Sequence, residues 1–164
     1  LGSRATTHEK ATCERYSCLK HSEIGENMKI TIETKVNAPL AAVWEAWITP
    51  ADIVKWNYAI EEWCCPKAEI NLVEGGKFNY RMEAKDGSMG FDFEGIFKKV
   101  IPTESIHFEL GDNRLVTVDF KDSADGVCVV ETFDAENENS AEQQKQGWQK
   151  ILNNFRKHVE EKGS

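Results

Sequence analysis

Several features that identify common protein classes are missing from this sequence. No apolar run approaches the roughly 20 residues that a membrane-spanning helix requires, so no membrane insertion is expected. The formal net charge of −8 disfavours a nucleic-acid partner, because contacts with phosphates require an excess of Lys and Arg. Neither a Gly-x-Ser-x-Gly nucleophile motif nor a phosphate-binding loop is present. These absences leave no motif that by itself indicates an enzyme.

Cysteine is present, but not in a pattern typical of a disulfide framework or a metal site. The five cysteines are odd in number, Cys64 and Cys65 are adjacent, and no Cys-x-x-Cys motif occurs. A disulfide framework usually carries an even number of spaced cysteines, so we expect a reducing, cytoplasmic location. Adjacent cysteines without a nearby histidine make poor zinc ligands. The sequence therefore predicts no metal and no cofactor.

Residues 1–27 differ from the rest of the chain. They show no hydrophobic periodicity, and they lack the apolar centre of a signal peptide. Met28 is followed at once by a regular strand pattern. We therefore interpret residues 1–27 as a leader or a segment foreign to the fold, and residues 28–164 as one domain, which suits a chain of this length.

Alternation of apolar and polar residues predicts seven strands. The first covers residues 29–36, and six more follow between residues 68 and 134, separated by turns that contain Gly, Asp or Pro. Helical spacing predicts two short helices after the first strand, over residues 39–48 and 50–56. Residues 57–66 follow neither period and are predicted as a loop. Strands joined by short turns favour one antiparallel sheet.

A long helix is predicted over residues 140–159, at the end of the chain. Ser140 and Gln143 have the spacing of a capping box. Gly147 costs roughly 1 kcal/mol relative to Ala in a helix interior, so we expect a packing reason for it. One face of the helix is largely apolar and is expected to lie on the sheet: Gln144, Trp148, Ile151, Leu152, Phe155 and Val159.

Five motifs accompany this order of elements: Ala-Pro-Leu-Ala-Ala-Val-Trp (38–44), Gly-Gly-Lys-Phe-Asn-Tyr-Arg-Met (75–82), Phe-Glu-Gly (93–95), Glu-Thr-Phe-Asp-Ala-Glu (131–136) and Gln-Gly-Trp-Gln-Lys-Ile-Leu-Asn-Asn-Phe (146–155). The order of the elements resembles the START-like, or SRPBCC, superfamily. With these motifs, the chain resembles the branch named for the activator of the heat-shock-protein-90 ATPase. One departure is Asn71-Leu72-Val73, where relatives often carry Asp-Leu-Arg.

The resemblance implies an α+β helix-grip fold. In that fold a curved, antiparallel seven-stranded sheet surrounds a long C-terminal helix, and two short helices follow the first strand. It also implies an apolar cavity between sheet and helix, although the same side chains could equally form a filled core. The expected ligand-cavity residues are Trp56, Trp63, Phe78, Tyr80, Met82, Phe91, Phe93, Gly95, Phe97, Phe108, Val118, Phe120, Glu131, Trp148, Leu152 and Phe155.

Glu131 and Tyr80 are the candidates for chemistry in such a cavity. If Glu131 points inward with Val129 and Phe133, its pKa should rise and it could act as a general acid or anchor a polar group of a ligand. The period of two in a strand equally allows Glu131 to face solvent. His107 alternates with apolar neighbours, and we expect it to face outward.

The leading hypothesis is a START-like domain that binds a small hydrophobic molecule, lipid-like or polycyclic, without catalysis. One alternative is a cyclase- or hydrolase-type enzyme that uses a cavity carboxyl group. Another is a protein-binding module whose partner is a chaperone ATPase or another protein. The sequence does not identify the physiological ligand.

Overall fold

The computed structural model describes residues 28–163. The predicted leader, residues 1–27, lies outside the described residues, and its separation from a domain over residues 28–164 stays a prediction. Within the described range the chain forms seven strands and three helices, in the order β1 (Lys29–Val36), α1 (Leu40–Ile48), α2 (Pro50–Trp56), β2 (Trp63–Ile70), β3 (Lys77–Ala84), β4 (Gly90–Ile101), β5 (Ser105–Leu110), β6 (Leu115–Ser123), β7 (Gly126–Asp134) and α3 (Ala141–Lys162).

The strands form one antiparallel sheet in the order β1-β7-β6-β5-β4-β3-β2. Because β1 and β2 lie at opposite edges, α1 and α2 carry the chain from one edge of the sheet to the other. From β2 onward each strand pairs with the next along the chain, and β7 returns to pair with β1. The sheet is curled, and the long helix α3 ends the chain. The predicted α+β helix-grip fold is confirmed.

The predicted loop over residues 57–66 is wrong in its second half, because β2 already begins at Trp63. β2 is an edge strand, and its register with β3 shifts between Cys64 and Lys67, where Pro66 lies. Pro cannot donate a ladder hydrogen bond and is tolerated at such bulges and edges. The irregular register also breaks the alternation, which is why the sequence pattern does not show a strand here.

The predicted capping box at the start of α3 is confirmed. The Gln143 N–H donates to Ser140 Oγ over 3.1 Å, and the Ser140 N–H donates to Gln143 Oε1 over 3.2 Å. The predicted apolar face is buried, fully at Gln144, Leu152, Phe155 and Val159 and partly at Trp148 and Ile151.

Gly147 has no packing reason, contrary to the expectation from sequence. A Cβ built on this residue would meet no atom within 4 Å. The cost of glycine in this helix is therefore not offset by a close approach of another element.

An aromatic cluster joins α1 and α2 to the second half of α3, and we call it the packed end. The ring centroids of Trp47 and Trp56 lie 5.1 Å apart, and each lies 4.9 Å from the ring of Phe155. Phe120 of β6 lies 5.3 Å from Trp44 and 5.9 Å from Trp47. Edge-on contacts at these distances stabilise a filled core beyond the area they bury.

A buried ion cluster closes the packed end. Asp52 of α2 is only 5% exposed, and His158 Nε2 lies 2.8 Å from its Oδ1. Lys162 Nζ donates to both carboxylate oxygens, over 2.9 and 3.1 Å. Burial alone would raise the pKa of Asp52, but the hydrogen bonds from Lys162 and His158 outweigh it and lower that pKa. The cluster ties α2 to the end of α3.

The adjacent cysteines Cys64 and Cys65 are free thiols. Separately, no helix within residues 28–163 is both long enough and apolar enough to cross a membrane. The cytoplasmic location stays a prediction.

Candidate ligand-binding cavity

A cavity of about 270 Å³ lies between the sheet and the first half of α3. Its walls are mostly aromatic and aliphatic, and the half-exposed ring of Phe91 and the partly exposed Arg114 lie where it meets solvent. The lining residues are Trp47, Trp56, Asn57, Ile70, Phe78, Tyr80, Met82, Phe91, Phe93, Phe97, Ile106, Phe108, Arg114, Glu131, Trp148, Ile151 and Leu152.

Trp148 lines the cavity from α3 and contacts two phenylalanines of the sheet. Its ring stacks on Phe133 with centroids 3.9 Å apart and meets the edge of Phe93 at 6.0 Å. On the sheet, the ring of Phe78 contacts Tyr80 at 5.0 Å, Phe108 at 5.0 Å and Phe93 at 5.9 Å. Rings held by several neighbours give the cavity rigid walls.

Most of the predicted cavity residues are brought together here, but five are not. Phe120 and Phe155 belong to the packed end, and Val118 is fully buried away from the space. Trp63 lies behind Phe91, with ring centroids 5.9 Å apart. Those four side chains serve packing, and the fifth position, Gly95, has no side chain.

Gly95 is needed for close approach rather than for lining. A Cβ at this position would lie 2.5 Å from the Glu109 carbonyl oxygen and 2.9 Å from Phe78 Cε1. Gly95 pairs directly with Phe78 across β3 and β4, so the ring of Phe78 lies over it. The glycine lets this ring form part of the cavity wall.

Glu131 of β7 points into the cavity. It lies opposite Val118 of β6 and Ile32 of β1, two buried residues of the same face. The side chain is 7% exposed, its carboxyl oxygens are accessible from the cavity, and no hydrogen bond from residues 28–163 contributes to its pKa. Burial raises the pKa of Glu131 to about 8. At neutral pH the group is therefore mostly a neutral carboxylic acid.

Tyr80 and Asn57 add further polar groups to the wall. Burial, and secondarily the nearby Cys65 thiol, raise the pKa of Tyr80 well above its ordinary value, so its hydroxyl stays protonated. The Asn57 amide lies 3.5 Å from Met82 Sδ. A few polar groups in a mainly apolar space are typical of small-molecule sites.

Arg114 is the only cationic side chain among the lining residues. It precedes β6, and its side chain is 24% exposed. Its Nε donates to Asp112 Oδ2 over 2.7 Å. Its charge also contributes, behind hydrogen bonds from Asn139 and Glu138, to lowering the pKa of Glu136. Two acidic groups therefore lie close to this guanidinium.

The sequence profile of the family described as Activator of Hsp90 ATPase homolog 1-like protein matches residues 37–160. The chain belongs to this AHSA1-like family. The resemblance proposed from its motifs is confirmed.

Solved structures agree with this membership. An AHSA1-like protein from Aeromonas hydrophila is 44% identical, with a TM-score of 0.79 over 83% of this chain and 94% of that one. A Cytophaga hutchinsonii protein is 43% identical, with a TM-score of 0.72 over 82% and 93%. A Nitrosomonas europaea protein is 15% identical and shares the fold, with a TM-score of 0.71 over 85% and 99%. No curated protein matches the chain.

Some lining residues of this AHSA1-like chain were not predicted. Ile70 and Ile106 share the inward phase of their strands, and Trp47 and Ile151 lie on the apolar faces of their helices, so periodicity could have found them. The residues of β6 that face inward have even numbers, and Arg114 continues this alternation, although it lies outside the predicted strand. Asn57 had no signal, because it follows α2 in a loop. The six residues are Trp47, Asn57, Ile70, Ile106, Arg114 and Ile151.

The AHSA1-like cavity contains little catalytic machinery. His107 lies on β5 opposite Lys99 and Thr117 and does not line the cavity. Residues 28–163 also contain no group of three or more His, Cys, Asp or Glu side chains that could hold a metal ion. The groups that could act chemically are the Glu131 carboxyl and the Tyr80 hydroxyl, and a catalytic role for either stays a prediction.

Proposed function

We propose that this AHSA1-like chain binds a small, mainly apolar molecule in the cavity between the sheet and α3. The observation that carries the proposal is a buried carboxyl group, Glu131, that faces an aromatic-walled space and has no hydrogen-bond partner within residues 28–163. A carboxyl group that faces a mainly apolar space is incompletely hydrated, and this costs free energy. Rings that border empty space also lose dispersion contacts. A bound molecule would offset both costs.

The walls favour a compact ring system over a long, flexible chain. The space of about 270 Å³ is small among ligand pockets, and its rings are fixed by mutual contacts. Rigid molecules lose little conformational entropy when they bind. Two or three fused rings therefore suit the cavity best.

The first test is to fill the cavity from α3. Ile151 lines it, whereas its neighbour Lys150 is exposed on the opposite face of the helix. Isothermal titration calorimetry with 2-naphthol should give a one-to-one Kd below about 1 mM for the natural chain. Ile151→Trp should weaken binding at least tenfold, because the larger ring occupies the space.

Lys150→Trp is the matched control, since it adds the same ring outside the cavity and should bind like the natural chain. Absence of binding by every variant would contradict the proposal. Equal binding by Ile151→Trp and Lys150→Trp, with both variants folded by circular dichroism, would place the probe elsewhere and also contradict it.

Acid–base catalysis on the bound molecule is the second candidate function. It is favoured by the raised pKa of Glu131, about 8, because a general acid works best when its pKa lies near the working pH. A compound that binds would be incubated with the natural chain and with Glu131→Gln, followed by mass spectrometry. A product formed only by the natural chain would support catalysis, and unchanged compound in both would contradict it.

The partner in the family's description is a third candidate, which stays a prediction for this chain. The ATPase rate of Hsp90 with and without this chain tests it directly. An unchanged rate would contradict a chaperone-activating role.

A further inference from the structure

The polar groups of the cavity lie at two different depths. Glu131 is deep inside, opposite Val118 of β6. Arg114 lies four residues before Val118 on the same chain segment, where the cavity meets solvent. The Leu110 N–H donates to the Arg114 carbonyl over 2.8 Å, so the strand pairing extends to this residue. At roughly 3.4 Å per residue, the Cα atoms of Arg114 and Val118 are about 14 Å apart.

Each of these groups has hydrogen-bonding capacity that the protein leaves unused. No hydrogen bond from residues 28–163 contributes to the pKa of Glu131, and its oxygens are accessible from the cavity. Arg114 has five N–H donors, and only its Nε is engaged, by Asp112. Its two terminal nitrogens have no hydrogen-bond partner among the described residues. An apolar molecule spanning the cavity would satisfy neither group.

The charges around each group decide which ligand atoms fit. A hydroxyl suits Glu131 in either protonation state, because it can donate to a carboxylate or exchange hydrogen bonds with a carboxylic acid. Near Arg114, the Asp112 and Glu136 carboxylates offset the guanidinium charge and would repel a ligand anion. A neutral carbonyl oxygen can accept from the terminal nitrogens without that repulsion.

We propose that the cavity selects an elongated, uncharged ring compound with a hydroxyl group at its inner end, bound by Glu131, and a carbonyl oxygen at its outer end, bound by Arg114. This inference rests on the proposed function and narrows it to one ligand class. The apolar middle of such a molecule would lie against the aromatic side chains that line the cavity, among them Phe78, Phe93 and Trp148.

Four naphthalene probes separate the two anchors. The compound 6-hydroxy-2-acetonaphthone carries both groups, 2-acetonaphthone lacks the hydroxyl, 2-naphthol lacks the carbonyl, and 6-hydroxy-2-naphthoate replaces the ketone with an anion. For the natural chain, 6-hydroxy-2-acetonaphthone should bind about tenfold more tightly than either singly substituted probe, as expected for one buried hydrogen bond at each end. It should also bind more tightly than the naphthoate.

Two variants should each remove one preference and leave the other. Glu131→Met keeps the approximate shape but removes the hydrogen bond, so 6-hydroxy-2-acetonaphthone should lose its advantage over 2-acetonaphthone only. Arg114→Met keeps the apolar stem, so the advantage over 2-naphthol should disappear instead. Lys98→Met, an exposed cation on β4, is the control and should keep both preferences.

The outcomes distinguish this inference from the proposed function. Equal affinity of the natural chain for all four probes would overturn the two-anchor inference but would leave apolar binding intact. Tightest binding of the naphthoate would overturn the preference for an uncharged outer group. Loss of both preferences in Lys98→Met would also overturn the two-anchor inference. If no probe binds to the natural chain, the proposed function itself is contradicted.

Discussion

The two halves of the space beneath α3 are both rich in aromatic side chains, yet one is filled and the other is open. At the packed end, Trp47, Trp56 and Phe155 meet with ring centroids about 5 Å apart. In the cavity, Phe93 and Trp148 border a space of about 270 Å³. Trp47 and Trp56 take part in both halves, because they pack against Phe155 and also line the cavity, whereas Trp44 of α1 contributes to the packed end alone.

The two halves also differ in how they hold a buried carboxyl group. Asp52 at the packed end is 5% exposed and bonded by His158 and Lys162. Glu131 in the cavity is 7% exposed and has no such partner within residues 28–163. Burial favours a higher pKa for both groups, but the hydrogen bonds from Lys162 and His158 lower the pKa of Asp52, whereas nothing offsets the rise at Glu131. We infer that the packed end stabilises the fold, whereas the cavity is arranged for a ligand.

Replacing one phenylalanine in each half by alanine should give the largest difference in the free energy of unfolding. Phe155→Ala should lower the free energy of unfolding by about 3–5 kcal/mol, because Phe155 is fully buried among other rings. Phe93→Ala should cost only about 1 kcal/mol, because Phe93 already borders open space. Urea unfolding followed by circular dichroism measures both. Equal losses would mean that the cavity wall is an ordinary core.

Glu131 should make stability depend on pH in the neutral range. The unfolded chain loses this proton near the ordinary value of 4.5, whereas the folded chain holds it up to about 8. The Glu131 contribution is therefore complete below pH 4.5 and is lost as the pH rises toward 8. From pH 5 to pH 7 the loss should be about 2–3 kcal/mol.

Glu131→Gln is the comparison for this pH dependence, since it keeps the shape but does not titrate. Its free energy of unfolding should fall less over the same range, and above pH 8 it should be more stable than the natural chain. If the free energies of unfolding of the two proteins change in parallel with pH, the Glu131 carboxyl group is solvated or hydrogen-bonded in the folded protein.

Asp52 should show the opposite pH behaviour with a smaller effect. Asp52→Asn should lower the free energy of unfolding at pH 7 by about 1–2 kcal/mol; the value is modest because Lys162 is 58% exposed. The Asp52 contribution is present above its ordinary pKa of 3.8 and is lost as the pH falls through its lowered folded value. Thermal unfolding of the natural chain and of Asp52→Asn at pH 7 and at pH 3 measures this contribution. If the natural chain exceeds the variant in stability by more at pH 3 than at pH 7, Asp52 does not form the stabilising ion pair.

Gly147→Ala should give the smallest effect, and it should be stabilising. The added methyl group meets no atom within 4 Å, so the variant should gain about 0.5–1 kcal/mol from the reduced entropy of the unfolded chain. Binding of 2-naphthol should stay unchanged. A loss of stability, measured by the same urea titration, would show that the glycine has a packing role after all.

Periodicity predicted the fold because each element has a regular repeat. The strands alternate, α3 has one apolar face, and the capping box of Ser140 and Gln143 has a fixed spacing. The exception is the start of β2, where Pro66 at a bulge removes the alternation. Gly147 shows a second limit, since composition alone suggested a contact that does not exist.

The site was less predictable, because periodicity assigns a residue to a face but not to a depth. Phe120 and Phe93 both have the inward phase of their strands, yet one packs against Trp44 of α1 and the other borders the cavity. The side chains that cover each strand position come from distant parts of the chain. Arg114 has the inward phase of β6 but precedes the strand that the alternation predicts. The orientation of Glu131 depended on a register that the sequence alone left open.

The most direct test of the central claim is the indole NMR signals of the five tryptophans during titration with 2-naphthol. Trp47, Trp56 and Trp148 line the cavity, whereas Trp44 is buried elsewhere. Binding in the cavity should shift the first three ¹⁵N-indole signals and leave that of Trp44 in place, with single Trp→Phe variants to assign them. Saturable binding that leaves all three lining signals unchanged would contradict a ligand site between the sheet and α3.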